Sequence, residues 1–459
     1  MNKIMFDILL LIDKGEQYDV KLYAKILYKP YSIIEQEYFN LVHSGYVSES
    51  RLTEKGKEYL NSKKIDNAVI LAAGVSSRFV PICYEKPKAL LRVKGEIMIE
   101  RQIEQLIEAG INEIHIVIGH MKEKFYYLKG KYGVNIIETD TYKTRNNHAS
   151  VFAAKEYLKN TIITSADLYF TKNIFQKYAY DAYYCSVYIE GKTEERGIIT
   201  NPYDKILKTG YGLSDTWVTL GYAYFNERFS KNFINIMNKE YNRAETLNKF
   251  WADIQDEHLQ ELYMYTKRCD NNVIYEFDSL EELRDFDKNY FEKTDSVLMQ
   301  KISDYLHTSQ GNLRFFKPIT KEDLARGITF IFEQKRYICR ITDNQEIRDI
   351  KRYTHEVFIY TDEETMNRIY SNSLRLGITL NKKNKELFKG FGIRLGVQEI
   401  ARYGWSADVM KQIARIIKEI SVKDVNDSYV HEMISGLPSK KIQYTFDEAT
   451  ASYFKRFLK

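Results

Sequence analysis

The sequence predicts an α/β protein in three blocks, residues 1–64, 65–293 and 294–459, with parallel strands in the middle block. Three observations carry this reading. Ala68-Val-Ile-Leu-Ala72 is a continuous apolar run that gives way to Gly74, as a strand buried on both faces should. Residues 99–109 place apolar side chains at helical spacing and lead into a second apolar run, Glu113-Ile-His-Ile-Val-Ile-Gly119. Thr161-Ile-Ile-Thr-Ser-Ala-Asp167 is a third. Strand, helix, strand at this spacing implies right-handed crossovers between parallel strands. Ligands of such sheets bind beyond the carboxyl ends of the strands.

The block before the sheet reads as helical, with apolar spacing in residues 5–12, 22–27 and 33–41. A short strand-like piece at Tyr46-Val-Ser-Glu-Ser leads into Leu52-Thr-Glu-Lys-Gly-Lys-Glu-Tyr-Leu60. Three helices, a β-wing and a closing helix resemble a winged helix of the MarR-like kind. That resemblance implies contact with DNA. A structural or protein-contact role is the favoured reading, because residues 32–43 carry Glu35 and Glu37 and little phosphate-binding chemistry.

Composition bounds the function classes. With 459 residues the chain is long enough for several domains. Its hydrophobic share of 44% and charged share of 29% fit a globular protein. A net charge of +5 suits an anionic ligand and is too small to argue for nucleic acid by itself. Cys83, Cys185, Cys269 and Cys339 form no CxxC pair. This speaks against a zinc site or disulfide framework and fits a reducing, cytoplasmic setting. The apolar run near the N-terminus is too short to span a membrane. Tyrosine, with 37 residues, supplies aromatic faces that suit cationic or ring-bearing ligands as well as packing.

The chemistry concentrates after the first apolar run. Leu71-Ala-Ala-Gly-Val-Ser-Ser-Arg-Phe79 is followed by Glu85-Lys-Pro-Lys-Ala-Leu90. The small residues Leu71-Ala72-Ala73-Gly74 and Ser76-Ser77 let backbone amides approach a phosphate. Arg78 offers a forked donor set, and Lys88 a mobile point charge. Bare amides plus two cations are what a triphosphate needs. Neither the P-loop pattern nor G-x-G-x-x-G is matched. Asp167 ends the third apolar run, where a carboxylate can hold Mg²⁺ against phosphates. Asp253, in Phe250-Trp-Ala-Asp-Ile254, is the candidate for a second metal carboxylate.

These motifs, with residues 93–119 (VKGEIMIERQIEQLIEAGINEIHIVIG), resemble the nucleoside-triphosphate transferase family and its pattern LAAGxGSRFxPxTxxxPKxL. Arg145-Asn-Asn-His-Ala-Ser150 and Ser165-Ala-Asp167 resemble the branch that includes bacterial CTP:phosphocholine cytidylyltransferases. The resemblance covers about half the chain. It implies a Rossmann-like mixed sheet whose Gly74 loop wraps a triphosphate. Arg78 and Lys88 would bind phosphates, Asp167 would bind Mg²⁺, and Asn147 would lie near the nucleotide. Four positions depart from the pattern: Ser76 stands for glycine, Cys83 for threonine, Ser165 for the first aspartate of DAD, and Ala252 for a carboxylate.

An anionic phosphate or phosphonate oxygen attacking the α-phosphorus of CTP needs no general base, so in-line positioning and charge neutralisation suffice. Trp217, Tyr222, Tyr224 and Trp251 fall where the family builds its acceptor pocket, and could hold a quaternary ammonium or simply pack. The expected partners are CTP or another nucleoside triphosphate and a small phosphorylated or phosphonate acceptor. Two alternatives stay open: a sugar-1-phosphate nucleotidyltransferase using UTP or dTTP, and a nucleotide-sensing winged-helix regulator that does not turn its ligand over.

In the last block, Gly377-Ile-Thr-Leu-Asn-Lys-Lys383, Gly392-Ile-Arg-Leu-Gly396, Gly404 and Asp408-Val-Met-Lys-Gln-Ile-Ala414 resemble the small domain of serine hydroxymethyltransferase-like PLP enzymes. There, the arginine matching Arg394 would grip a carboxylate. No room remains between residues 287 and 377 for that family's large domain, so oligomerisation or a partner-chain surface is the expectation. Residues 297–341 faintly resemble the first helix and β-hairpin of choline kinase-like phosphotransferases, and a plain hairpin over residues 327–341 is the favoured reading.

Overall fold

A computed structural model describes residues 1–321, 324–341, 347–352, 356–376, 378, 380–385, 390–396 and 407–438. The chain divides into two compact units. One comprises Met1–Glu333 with Cys339–Ile350, the other Gln334–Ile338 with Lys351–Lys459.

The first unit is built on a nine-stranded mixed sheet. Its centre is the strand Asn67–Ala72, flanked in parallel by Glu113–Ile118 and Thr161–Ser165. Asn135–Glu138 extends the parallel side. On the other side the long strand Ser214–Phe225 runs antiparallel to Thr161–Ser165 and makes the sheet mixed. Alternate residues of the central strand feed two cores. Ala68, Ile70 and Ala72 join the cluster containing Ile103 and Leu106 of the helix Met98–Glu108, while Val69 joins the cluster on the opposite face. Burial on both faces is why the run is uninterrupted by polar residues.

The N-terminal helices Lys3–Asp13, Val20–Leu27 and Tyr31–His43 precede a two-stranded ladder, Val47–Ser48 with Arg51–Leu52, and the helix Glu54–Asn61. Side chains of Asn2, Asp19 and Thr53 cap three of these helices. Gly56 is required at its place, because a Cβ there would lie 2.4 Å from the Tyr46 carbonyl oxygen. The exposed positions of the third helix include Glu35, Gln36 and Phe39. Tyr178 belongs to the core of these helices, and Lys29 reaches Asp204 at 2.7 Å. The helical segment is thus packed onto the sheet domain.

The first unit also continues past residue 294, where a boundary was expected. The reason is Arg284, whose fully buried guanidinium donates to the carbonyls of Tyr290, Gln310 and Leu313 at 2.7–3.3 Å. Leu298 N–H likewise donates to Glu85 Oε1 at 2.8 Å. The helix Val297–Tyr305 and the strands Arg314–Lys321 and Leu324–Phe332 follow within this unit. Lys335–Ile341 is the strand after Leu324–Phe332 in the hairpin segment.

The second unit contains strands Glu356–Thr361, Gly390–Gly396 and Asn381–Lys385, paired antiparallel in that order. Helices Glu363–Arg375, Ala407–Glu419 and Asp427–Ser435 supply a core around Met366, Ile369, Ile416, Ile420 and Val430. Gly377 and Gly404 lie outside the described residues, as does the side chain of Arg394.

Candidate active site

A cleft of about 400 Å³ opens at the carboxyl ends of the central strands. Leu71, Ala72, Ala73, Gly74, Ser76 and Ser77 line one wall, and Arg78 and Lys88 follow from the same loop. Among the described residues, nothing but its chain neighbours lies within 4 Å of a Cβ built on Gly74, so the space above it is open to a ligand. Ser76 has φ of 53°, a left-handed conformation that explains why the resembling pattern has glycine there. Asn147 and Asp167 also line the cleft.

Its charges are interlocked. Lys88 is 5% exposed, and its Nζ lies 3.2 Å from Asp167 Oδ2 and 3.8 Å from Asp278 Oδ1. Arg78 is largely exposed and pairs with Asp278 at 2.9 Å. The strand Ile274–Glu276 pairs antiparallel with Leu168–Phe170, setting Glu276 opposite Leu168 and thus beside Asp167. Burial, the nearby Asp167 charge and, more weakly, Asp278 push the Glu276 carboxyl up to about 7, against the pull of Lys88. Asp167 Oδ1 is buried with no hydrogen-bond partner among the described residues. Three convergent carboxylates, one with an orphaned oxygen and one whose carboxyl is pushed up by burial and its acidic neighbours, form an oxygen-only donor set suited to a hard divalent cation.

The opposite wall is made by residues 145–147, clamped to residues 241–251. Asn146 N–H donates to the Leu247 carbonyl at 3.0 Å, and Asn146 Nδ2 to that of Asn248 at 3.1 Å. His148 Nδ1 is 2.6 Å from the Lys249 carbonyl, and burial lowers the pKa of this ring. Asn147 Oδ1 accepts from Trp251 N–H at 2.9 Å. This clamp presents Phe250, 48% exposed, to the cleft.

Four expected site residues are elsewhere. Asp253 does not line the cleft; its carboxylate caps its own helix, accepting from Phe250 N–H at 2.7 Å. Tyr222 is fully buried and shares a 2.7 Å hydrogen bond with the Tyr183 hydroxyl, and Trp251 packs on Tyr184 and Phe225. Trp217 lies against Tyr28, Tyr188 and Arg268. Large aromatics found their energetically favoured place in packing rather than on an open pocket. Glu276 and Asp278 were missed. Their signal was the i, i+2 spacing of two acids, which puts both on one face of an extended segment.

Residues 68–198 match the family model of the MobA-like NTP transferase domain. The choline-phosphate cytidylyltransferase of Streptococcus pneumoniae is 34% identical over 217 residues, spanning 47% of this chain and 95% of that protein. The 2-aminoethylphosphonate cytidylyltransferase of Lancefieldella rimae is 34% identical over 228 residues, spanning 49% of this chain and 93% of that protein. A solved CTP:phosphocholine cytidylyltransferase from Streptococcus pneumoniae aligns at 33% identity, covering 49% of this chain and 98% of its own, with a TM-score of 0.47. With a nucleotide-sized cleft at the strand ends and relatives matched over nearly their whole length, the chain belongs to the nucleotidyltransferases with a MobA-like domain, among the cytidylyltransferases.

Proposed function

We propose that this cleft transfers CMP from CTP to the phosphate or phosphonate oxygen of an amino-alcohol-type acceptor such as phosphocholine, releasing pyrophosphate, with Mg²⁺ as the cation. The observation that carries it is the convergence of the Gly74 loop, Arg78, Lys88, Asp167, Glu276 and Asp278 on one cleft. Backbone amides of residues 73–77 cradle the β- and γ-phosphates. Lys88, little exposed and held in place by Asp167, delivers its charge from a fixed position, so little reorganisation is needed as charge shifts onto the leaving group. Arg78, exposed and carrying a forked guanidinium, closes over the phosphates from solvent. Mg²⁺, held by Asp167 with Glu276 and Asp278, would neutralise charge on the α-phosphate and orient it. The acceptor oxygen is already anionic, so the residues position it and no base is assigned.

The choice of CTP and of an amino-alcohol acceptor rests on what the two relatives are named for, phosphocholine in one and 2-aminoethylphosphonate in the other. Purified full-length protein should release pyrophosphate from CTP only when Mg²⁺ and one of these acceptors are both present. UTP and dTTP with a sugar 1-phosphate form the comparison arm. Turnover confined to that arm, or none with any pair, overturns the proposal.

A further inference from the structure

A second cavity, of about 150 Å³, lies where the first N-terminal helix meets the strand Tyr265–Cys269 at the sheet edge. Lys3, Lys14, Lys267 and Arg268 line it, against only two carboxylates, Asp7 and Asp204. Both carboxylates are already engaged. Asp7 is 2.5 Å from Lys3. Asp204 is shared by Lys29 at 2.7 Å, Arg268 at 3.0 Å and Lys3 at 3.8 Å. Lys14 and Lys267 have no carboxylate within ion-pairing distance among the described residues. Among the described residues the Lys267 ammonium donates only to neutral oxygens, the Ile174 carbonyl at 2.7 Å and the Tyr222 hydroxyl at 3.4 Å. Arg268 Nε is buried with no hydrogen-bond partner among the described residues.

An ammonium with no carboxylate beside it and a buried guanidinium Nε–H with no acceptor are costly to fold. Here they surround a space large enough for a small ligand, so the counter-charge can be supplied from solution. We propose that this cavity binds a small phosphate-type dianion, inorganic phosphate or a short phosphomonoester or phosphonate, held between Lys14 of the N-terminal helix and Lys267 and Arg268 of the sheet-edge strand. A tetrahedral dianion meets donors arriving from separate elements and offsets two charges at once. Leu10, Leu11 and Leu27 on the remaining wall leave room for a short alkyl substituent. Because it touches both elements, the ligand tightens the packing of the helical segment on the sheet. The site is separate from the transferase cleft, and the inference does not depend on the reaction proposed for it.

Trp217 reports on this site, since the Arg268 guanidinium lies 5.1 Å from its ring centroid and Tyr28 packs on its edge. The experiment is a fluorescence titration of the full chain carrying Arg78→Ala and Lys88→Ala, which removes phosphate binding in the transferase cleft. Inorganic phosphate and phosphoethanolamine are the two probes, at constant ionic strength set with chloride. A saturable change that is lost with Trp217→Phe and weakened at least tenfold by either Lys14→Gln or Arg268→Gln is expected. Saturation by phosphoethanolamine at lower concentration assigns the organic source, and equal affinities assign the phosphate alone. Lys14 is exposed, so its variant keeps the test open should Arg268→Gln not fold. A linear response, or affinity unchanged in Lys14→Gln, overturns the inference.

Discussion

Lys88 Nζ stands 3.2 Å from Asp167 Oδ2, an ion pair in which the cation is nearly buried and the acid still faces the cleft. The lysine therefore has two tasks: it offsets a cluster of three carboxylates, and it presents charge to a phosphate. Lys88→Met should separate them. Pyrophosphate release should fall about 10²–10³-fold, while thermal stabilisation by Mg²⁺ alone should increase, since the acids lose their internal counter-charge. Melting curves with and without Mg²⁺, set beside a pyrophosphate assay, check both. A weaker Mg²⁺ shift in the variant would contradict this account.

The metal assignment separates Glu276 and Asp278 from Asp253. Glu276→Gln and Asp278→Asn should each lower Mg²⁺-dependent turnover by at least about 10²-fold, the scale of one electrostatic contact in a closed site. Asp253→Ala removes a helix cap, costing about 1 kcal/mol in urea unfolding, and should leave turnover within a few-fold. Loss of turnover in Asp253→Ala at unchanged stability would restore that residue to the metal site.

Tyr222→Phe deletes the hydroxyl paired with Tyr183 in the core. It should cost about 1–3 kcal/mol, because a buried partner is left unsatisfied. The KM for the acceptor should not move. Steady-state kinetics against phosphocholine at saturating CTP measure this directly, and a selective rise in that KM would return Tyr222 to the acceptor pocket.

Arg284→Met strands three buried carbonyls, those of Tyr290, Gln310 and Leu313. A loss of about 3–5 kcal/mol is expected, seen as a lower urea midpoint. A chain ending at residue 293 should also be destabilised, since it keeps the donor and loses two of its three partners, Gln310 and Leu313.

The parallel centre of the sheet was legible because strands buried on both faces leave unbroken apolar runs, as at residues 68–72. The phosphate loop was legible because its residues are contiguous. Glu276 escaped notice because it stands more than a hundred residues from Asp167 in sequence and reaches it through a three-residue strand, too short for a periodic signal. Trp217, Tyr222 and Trp251 were misplaced because residue type says that an aromatic ring wants contact, and not whether the contact is a ligand or Phe225. The continuation of the first unit past residue 294 is not legible in the sequence for a related reason. An arginine reads as surface, and only the structure shows the Arg284 guanidinium serving the carbonyls of a later segment.

The ladder between Leu168–Phe170 and Ile274–Glu276 acts as a ruler for the connection that precedes it. Because neighbouring side chains in a strand face opposite ways, lengthening residues 270–273 by one would present Tyr275 where Glu276 now stands. It would also turn Asp278 away together with it. Insertions of even length keep the parity and can be absorbed, so viable length variants of this short turn should differ by two residues and not by one.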